Sequence, residues 1–134
     1  MTRTPAVLTT GDTLEPRSIG PITQTDIVRF AGAGGDFNPL HHDPDYARAA
    51  GLPGVIAMGQ MQAGMLAGYL SDHVGVEHLL SYSVRFASPL SIGEILILHG
   101  TVTDVTDSDA RVELEARVDD RVVVSGTARV RRSH

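Results

Sequence analysis

The order of hydrophobic patterns along the chain predicts an α+β fold, helices first and then an antiparallel sheet wrapped around one long helix. Three observations carry that expectation. Apolar residues recur at helical spacing up to Val74 and alternate afterwards. The stretch from Val55 to Val74 is the most apolar of the chain and, at about 20 residues, spans roughly 30 Å if fully helical. The last third consists of alternating runs divided by turn residues.

Taken in order, Ile22 to Gly32 reads ITQTDIVRFAG, in which Ile22, Ile27, Phe30 and Ala31 fall near one helical face and Thr23 or Thr25 can cap the start. Gly32, Gly34 and Gly35 end this helix, and GDFNPLHHDPDYA follows as a loop rich in Gly, Asn, Pro and Asp. Pro44 opens a short helix, PDYARAAG, that Gly51 closes. In the Val55 to Val74 stretch, Gln60, Gln62, Asp72 and His73 interrupt the apolar run and no charged flank sets a topology, so it reads as a buried central helix rather than a membrane span. Gly64 and Gly68 form a small-xxx-small pair that lets a second backbone approach, either the protein's own sheet or a helix of another subunit.

The alternating part begins with Ser81 to Ser88, which sets Tyr82, Val84 and Phe86 against Ser83 and Arg85, and Pro89 ends it. Ile95 to Val105 is a longer strand. Arg111 to Val118 alternates Val112, Leu114, Ala116 and Val118 with Arg111, Glu113, Glu115 and Arg117, the pattern of a sheet with one wet face. Asp119 and Asp120 form a turn, and Arg121 to Arg131 returns as the last strand of a predicted meander.

Composition narrows the function classes. The 134 residues, 1–134, suit one folding unit that buries roughly two thirds of its unfolded surface without staples. The absence of cysteine excludes disulfides, thiolate zinc sites, iron–sulfur ligation and cysteine nucleophiles. Eleven Lys and Arg against 16 Asp and Glu, a formal net charge of -5, with no basic stripe, argue against a nucleic-acid partner. Met1 to Pro16 holds no apolar stretch of signal-peptide length and no later run spans a membrane, so a soluble cytoplasmic protein is expected.

Chemistry concentrates in FAGAGGDFNPLHHDPDYA, from Phe30 to Ala47. Asp36 and His41 lie five residues apart on a loop stiffened by Pro39, so a carboxylate and an imidazole can converge on one water, a pairing suited to proton transfer at neutral pH. The alternative is an Asp that caps a turn and a His that is merely exposed. His42 and Asp43 complete an HHD triplet, but consecutive loop residues rarely point at one ion, so no metal site is expected. His73, His78 and His99 lack partner spacing and His134 is terminal, which favours solvated or structural roles.

The string GDFNPLHHD with a following YA closely resembles the signature of the MaoC-like (R)-specific enoyl-CoA hydratases and (3R)-hydroxyacyl dehydratases, which have the hot dog fold. GDTLEP, ITQTDIVRFAGAGGD, AGLPGVIAMGQM and SVRFASPLSIGE resemble the same family in the expected order, so the likeness covers most of the chain. It implies that Asp36 and His41 are the catalytic pair, with Asp36 as base toward water and His41 as proton donor to C2, roles that the reverse reaction exchanges and that the loop itself leaves open. Asn38 occupies the motif's asparagine position, either shaping the loop or orienting the pair. Gly59 matches the glycine whose backbone N–H binds the thioester carbonyl; its other reading is close packing. Many relatives have His-Gly where this chain has Met58 before Gly59, a departure that bears on the pocket rather than on the glycine's backbone.

The function implied is reversible hydration of a trans-2-enoyl thioester, carried by CoA or acyl carrier protein, without a cofactor because proton transfer needs none. Met58, Met61, Met65 and Leu66 are either acyl-tunnel residues or plain core. Arg129, Arg131 and Arg132 either meet a phosphate of the carrier or form a frayed strand end. The resemblance further implies a homodimer whose pockets are completed at the interface, or a heteromer with a related subunit. A hot dog acyl-thioester hydrolase and a non-catalytic acyl-binding subunit are the competing readings.

Overall fold

The computed structural model describes residues 2–134; Met1, where the N-terminal segment read for a leader begins, lies outside them. Strand β1 (Thr13–Ile19) precedes helix α1 (Gln24–Gly34), a 3-10 turn at Pro39–His41, α2 (Pro44–Ala49), α3 (Gly59–Val74) and a second 3-10 turn at Val76–His78. Strands β2 (Leu79–Phe86), β3 (Leu96–Val105), β4 (Asp109–Val118) and β5 (Arg121–Arg131) follow. All strands pair antiparallel, in the order β1-β3-β4-β5-β2.

The alternating pattern of the last third produces the core as expected. Val112, Leu114 and Ala116 of β4 face inward with Leu96, Leu98 and Val102 of β3 and Val124, Ala128 and Val130 of β5, all at most 1% exposed. Against them α3 buries Met61, Ala63, Leu66, Tyr69, Leu70 and Val74. Tyr82 of β2 donates its hydroxyl hydrogen to the Ala63 carbonyl at 2.7 Å, which ties the helix to the edge of the sheet. Burial pushes the Tyr82 phenol up to about 12, since the phenolate would lose its hydration there.

Four expectations need correction. The sheet is not a simple meander: only β3, β4 and β5 follow one another, while β2 lies beyond β5 and its connection to β3 crosses from one side of the sheet to the other. The helices do not come first: β1 precedes α1 and shows no clear alternation, because Pro16 interrupts it, a bulge shifts its register between Leu14 and Arg17, and only Leu14 is buried; as an edge strand paired with β3 alone it tolerates all three. The apolar stretch is helical only from Gly59. Its first four residues stay extended, with an Ile56 to Ser91 bridge and an Ala57 N–H to Leu90 carbonyl bond of 2.8 Å, so long-range pairing overrides helical propensity there.

The fourth concerns coverage of α3. Gly64 and Gly68 are exposed, and a Cβ at either would meet open space, so the small pair does not serve packing on the protein's own sheet. Phe86, which the alternation sets on one side with Tyr82 and Val84, is 50% exposed at the end of β2.

Candidate active site

The loop after α1 begins with a defined cap. Thr23 and Asp26 form a reciprocal capping box at the start of α1, and the helix runs through Gly32 and Gly34 to end at Gly35, whose φ of 70° makes glycine the natural residue. The Gly35 and Asp36 N–H groups both return to the Ala31 carbonyl, at 2.8 and 3.2 Å, which places Asp36 just past the helix end. Asn38 then organises the turn: its N–H donates to Asp36 Oδ1 at 3.3 Å and its side-chain oxygen accepts the Leu40 N–H at 3.0 Å. The side chain thus shapes the loop, and the contact with Asp36 comes from the backbone N–H.

His41 follows on the 3-10 turn and is 8% exposed. Its Nδ1 lies 2.7 Å from the Ile56 carbonyl and its Nε2 lies 3.4 Å from Asp36 Oδ2. A carbonyl only accepts, so Nδ1 carries a proton, and all remaining proton chemistry of the ring takes place at Nε2, on the Asp36 side. Gln24 of α1 holds the His41 carbonyl from behind at 3.0 Å.

Ile56 is the part of this site that has no signal in the sequence. Its N–H donates to the Leu40 carbonyl at 3.1 Å while its carbonyl receives His41, so the extended segment clasps the loop on both sides. Three residues later the same segment becomes α3 at Gly59. Met58 offers no side-chain acceptor to the first turn, in which the Met61 N–H turns back to the Met58 carbonyl at 3.0 Å. A Cβ at Gly59 would come within 2.9 Å of the Phe86 ring, which supports the close-packing reading of the glycine, and its N–H stands at a helix start.

Two cavities border these elements. One of ≈ 520 Å³ runs between α1 and α3 and is lined mainly by Phe30, Ala33, Met61, Gly64 and Met65. The other, ≈ 410 Å³, is lined by Ile56, Gly59, Gln62, Phe86 and Ser88 among others. Of the methionines and leucine considered for an acyl tunnel, Met61 and Met65 line the first cavity, whereas Met58 and Leu66 lie in the core.

The other candidates are engaged elsewhere. His42 Nε2 bonds the Phe37 carbonyl at 3.3 Å, and Asp43 caps α2. His73 bonds the Tyr69 carbonyl and His78 the Arg3 carbonyl, while His99 is exposed on β3 opposite Glu115. Arg129 pairs with Asp109, Arg131 reaches the Glu77 carbonyl, and Arg132 reaches the Thr106 and Leu8 carbonyls. These guanidiniums are structural ties on an ordered strand end rather than a frayed one.

The family model for the MaoC like domain matches residues 6–124. The chain belongs to the MaoC-like family. Among curated relatives, the (R)-specific enoyl-CoA hydratase of Rhodospirillum rubrum is 31% identical over 81% of this chain and 78% of its own length. The mitochondrial 3-hydroxyacyl-[acyl-carrier-protein] dehydratase of Arabidopsis thaliana is 32% identical over 68% of this chain. The MaoC-like chain described here spans 54% of that relative's length. Among solved structures, the ChsH1–ChsH2 complex of Mycobacterium tuberculosis superposes with a TM-score of 0.83 at 26% identity, covering 92% of this chain and 98% of that one. The hot dog architecture expected of the MaoC-like family is the one observed, five antiparallel strands around a central helix. Among the described residues no helix is long and apolar enough to cross a membrane.

Proposed function

We propose that this MaoC-like protein is an (R)-specific enoyl-thioester hydratase, a hydro-lyase that adds water reversibly to a trans-2-enoyl thioester and yields the (3R)-3-hydroxyacyl thioester. The observation that carries the reading is the Asp36–His41 pair, in which Ile56 commits Nδ1 so that Nε2 and the carboxylate face one another at 3.4 Å. Family membership and the hydratase relative support the same chemistry.

The proton inventory follows from that geometry. In the ion-paired form Asp36 is a carboxylate and Nε2 of His41 bears a proton. Asp36 takes one proton from water as the water oxygen bonds to C3, and the π electrons move toward C2 and the carbonyl oxygen. His41 then delivers its Nε2 proton to C2, completing the addition. The products are protonated Asp36 and neutral His41, and one proton passed across the pair restores the starting form. Dehydration runs the same steps backward. Gly59 N–H stabilises the carbonyl oxygen while it carries charge, aided by the positive end of α3.

The acyl group enters from the open side of α1 and α3, and we infer that a second hot dog subunit closes it. Among the described residues the outer edge of β2 has no strand partner. Phe37, Leu80 and Phe86 are 68%, 45% and 50% exposed, and the Gly64–Gly68 face of α3 is uncovered. A homodimer satisfies these surfaces; the ChsH1–ChsH2 complex shows the hot dog fold in a heteromer, which is the other arrangement to test by sedimentation of the purified chain.

The deciding experiment follows the absorbance of conjugated trans-2-enoyl-CoA of short, medium and long chain with pure protein. Loss of that absorbance, with (3R)-hydroxyacyl-CoA formed and no free thiol, is expected. Release of free CoA instead makes the protein a thioester hydrolase, and no change with any CoA substrate moves the assay to acyl-carrier-protein thioesters before the reading is abandoned.

A further inference from the structure

Helix α3 is largely apolar where it is buried, and Gln62 and the Tyr69 hydroxyl are the polar groups it hides there. Gln62 is 2% exposed, and its side-chain nitrogen has no hydrogen-bond partner among the described residues. A buried amide without a partner is disfavoured by about 1–3 kcal/mol, and few such groups persist in native structures. Packing does not ask for it, because a leucine of similar volume fills the same space with no polar group to desolvate and no loss of helix propensity. The amide is thus open to a partner from outside the chain.

Its position indicates which partner. Gln62 follows Gly59 by three residues, so the two share a helix face, and a helical side chain leans back toward the preceding turn. Both line the ≈ 410 Å³ cavity with Ile56, whose carbonyl anchors His41. Two donor groups, the Gly59 N–H and the Gln62 amide, thus border one cavity, and the link from that cavity to His41 is the Ile56 carbonyl. None of the residues lining it, from Ile56 and Ala57 to Ser88 and Pro89, carries a charge. A full anion such as a phosphate or carboxylate would find no cation there, whereas a carbonyl oxygen that becomes negative only in the transition state suits neutral donors.

We propose that Gln62 is a catalytic residue of the hydration reaction proposed above, its amide N–H group donating a second hydrogen bond to the thioester carbonyl oxygen alongside Gly59 N–H. The inference rests on that reaction. No bond to Gln62 forms or breaks: the amide holds the oxygen while the electron pair displaced by water rests on it, and releases it when C2 is protonated and the carbonyl returns.

The test combines Gln62→Leu and the closer isostere Gln62→Met. In otherwise native protein, kcat for trans-2-enoyl-CoA is expected to fall about 10²–10³-fold, as for loss of one oxyanion donor. Thermal stability is expected to stay level or rise, because an unpaired buried amide has been removed. In an Asp36→Asn background, where turnover is slowed, the red shift of the bound enoyl chromophore reports carbonyl polarisation, and adding Gln62→Leu is expected to shrink it. Unchanged polarisation, or kcat within about threefold of native in both variants, overturns the proposal. Loss of folding in both variants also overturns it, by showing that the amide has a structural partner. Failure of the hydratase reading looks different: the native protein itself then leaves the enoyl absorbance untouched.

Discussion

Replacing Asp36 by asparagine separates the chemistry of this site from its architecture. The amide keeps the shape of the side chain and an oxygen able to accept the Asn38 N–H, so the turn that begins at Asp36 is retained. What disappears is the ability to take a proton and the charge facing His41 Nε2 across 3.4 Å. That pair has one 43% exposed partner, and partly exposed ion pairs are worth about 0–1 kcal/mol, so the melting temperature should move by no more than a few degrees. The barrier should respond more strongly. Loss of a positioned general base lowers rates by about 10²–10⁴-fold, or roughly 2.7–5.4 kcal/mol at about 1.36 kcal/mol per decade. Initial rates of enoyl-thioester absorbance loss, measured with thermal unfolding of the same preparation, compare the two numbers. A folded variant retaining more than about a third of the native rate would refute the assignment of Asp36 as base, and a rate loss matched by unfolding would make the residue structural.

Three further outcomes are expected. Gly59→Ala places a methyl group 2.9 Å from the half-exposed Phe86 ring, which must swing aside; kcat should fall at least about tenfold while circular dichroism stays native. Tyr82→Phe removes the 2.7 Å bond to the Ala63 carbonyl and should cost about 1 kcal/mol in denaturant unfolding. Because the phenol is raised in the fold, the stability it contributes is present below its ordinary 10.0 and is lost as pH rises toward about 12, so Tyr82→Phe should flatten the alkaline limb of the stability curve. At the acid end, the hydrogen bond from Arg129 holds the Asp109 carboxyl below the usual carboxylate range, with burial opposing and Thr106 assisting. Its contribution is present at neutral pH and disappears as pH falls through that lowered value, so Asp109→Asn should reduce the acid sensitivity of unfolding.

Much of the site could be read along the chain because its parts are close in sequence. Asp36, Asn38 and His41 lie within one loop, and the bonds that shape it span two or three residues. The same holds for the Thr23–Asp26 capping box, for β4 with its inward Val112, Leu114 and Ala116, and for the turn at Asp119, whose φ of 51° suits an aspartate. Local periodicity, caps and turn residues determined these elements, since each depends on neighbours a few positions away.

Tertiary structure alone decided the rest. Ile56 acts through its backbone, so any side chain there would look alike in the sequence, and its partners Leu40, His41 and Ser91 lie 15 or more residues away. β1 became a strand because β3 offered an edge, and β2 settled beyond β5. Gln62 read as one polar interruption in an apolar helix. Its missing partner became visible only when α3, Ile56 and Phe86 enclosed a common cavity, because burial and hydrogen-bond satisfaction are properties of segments that meet in space.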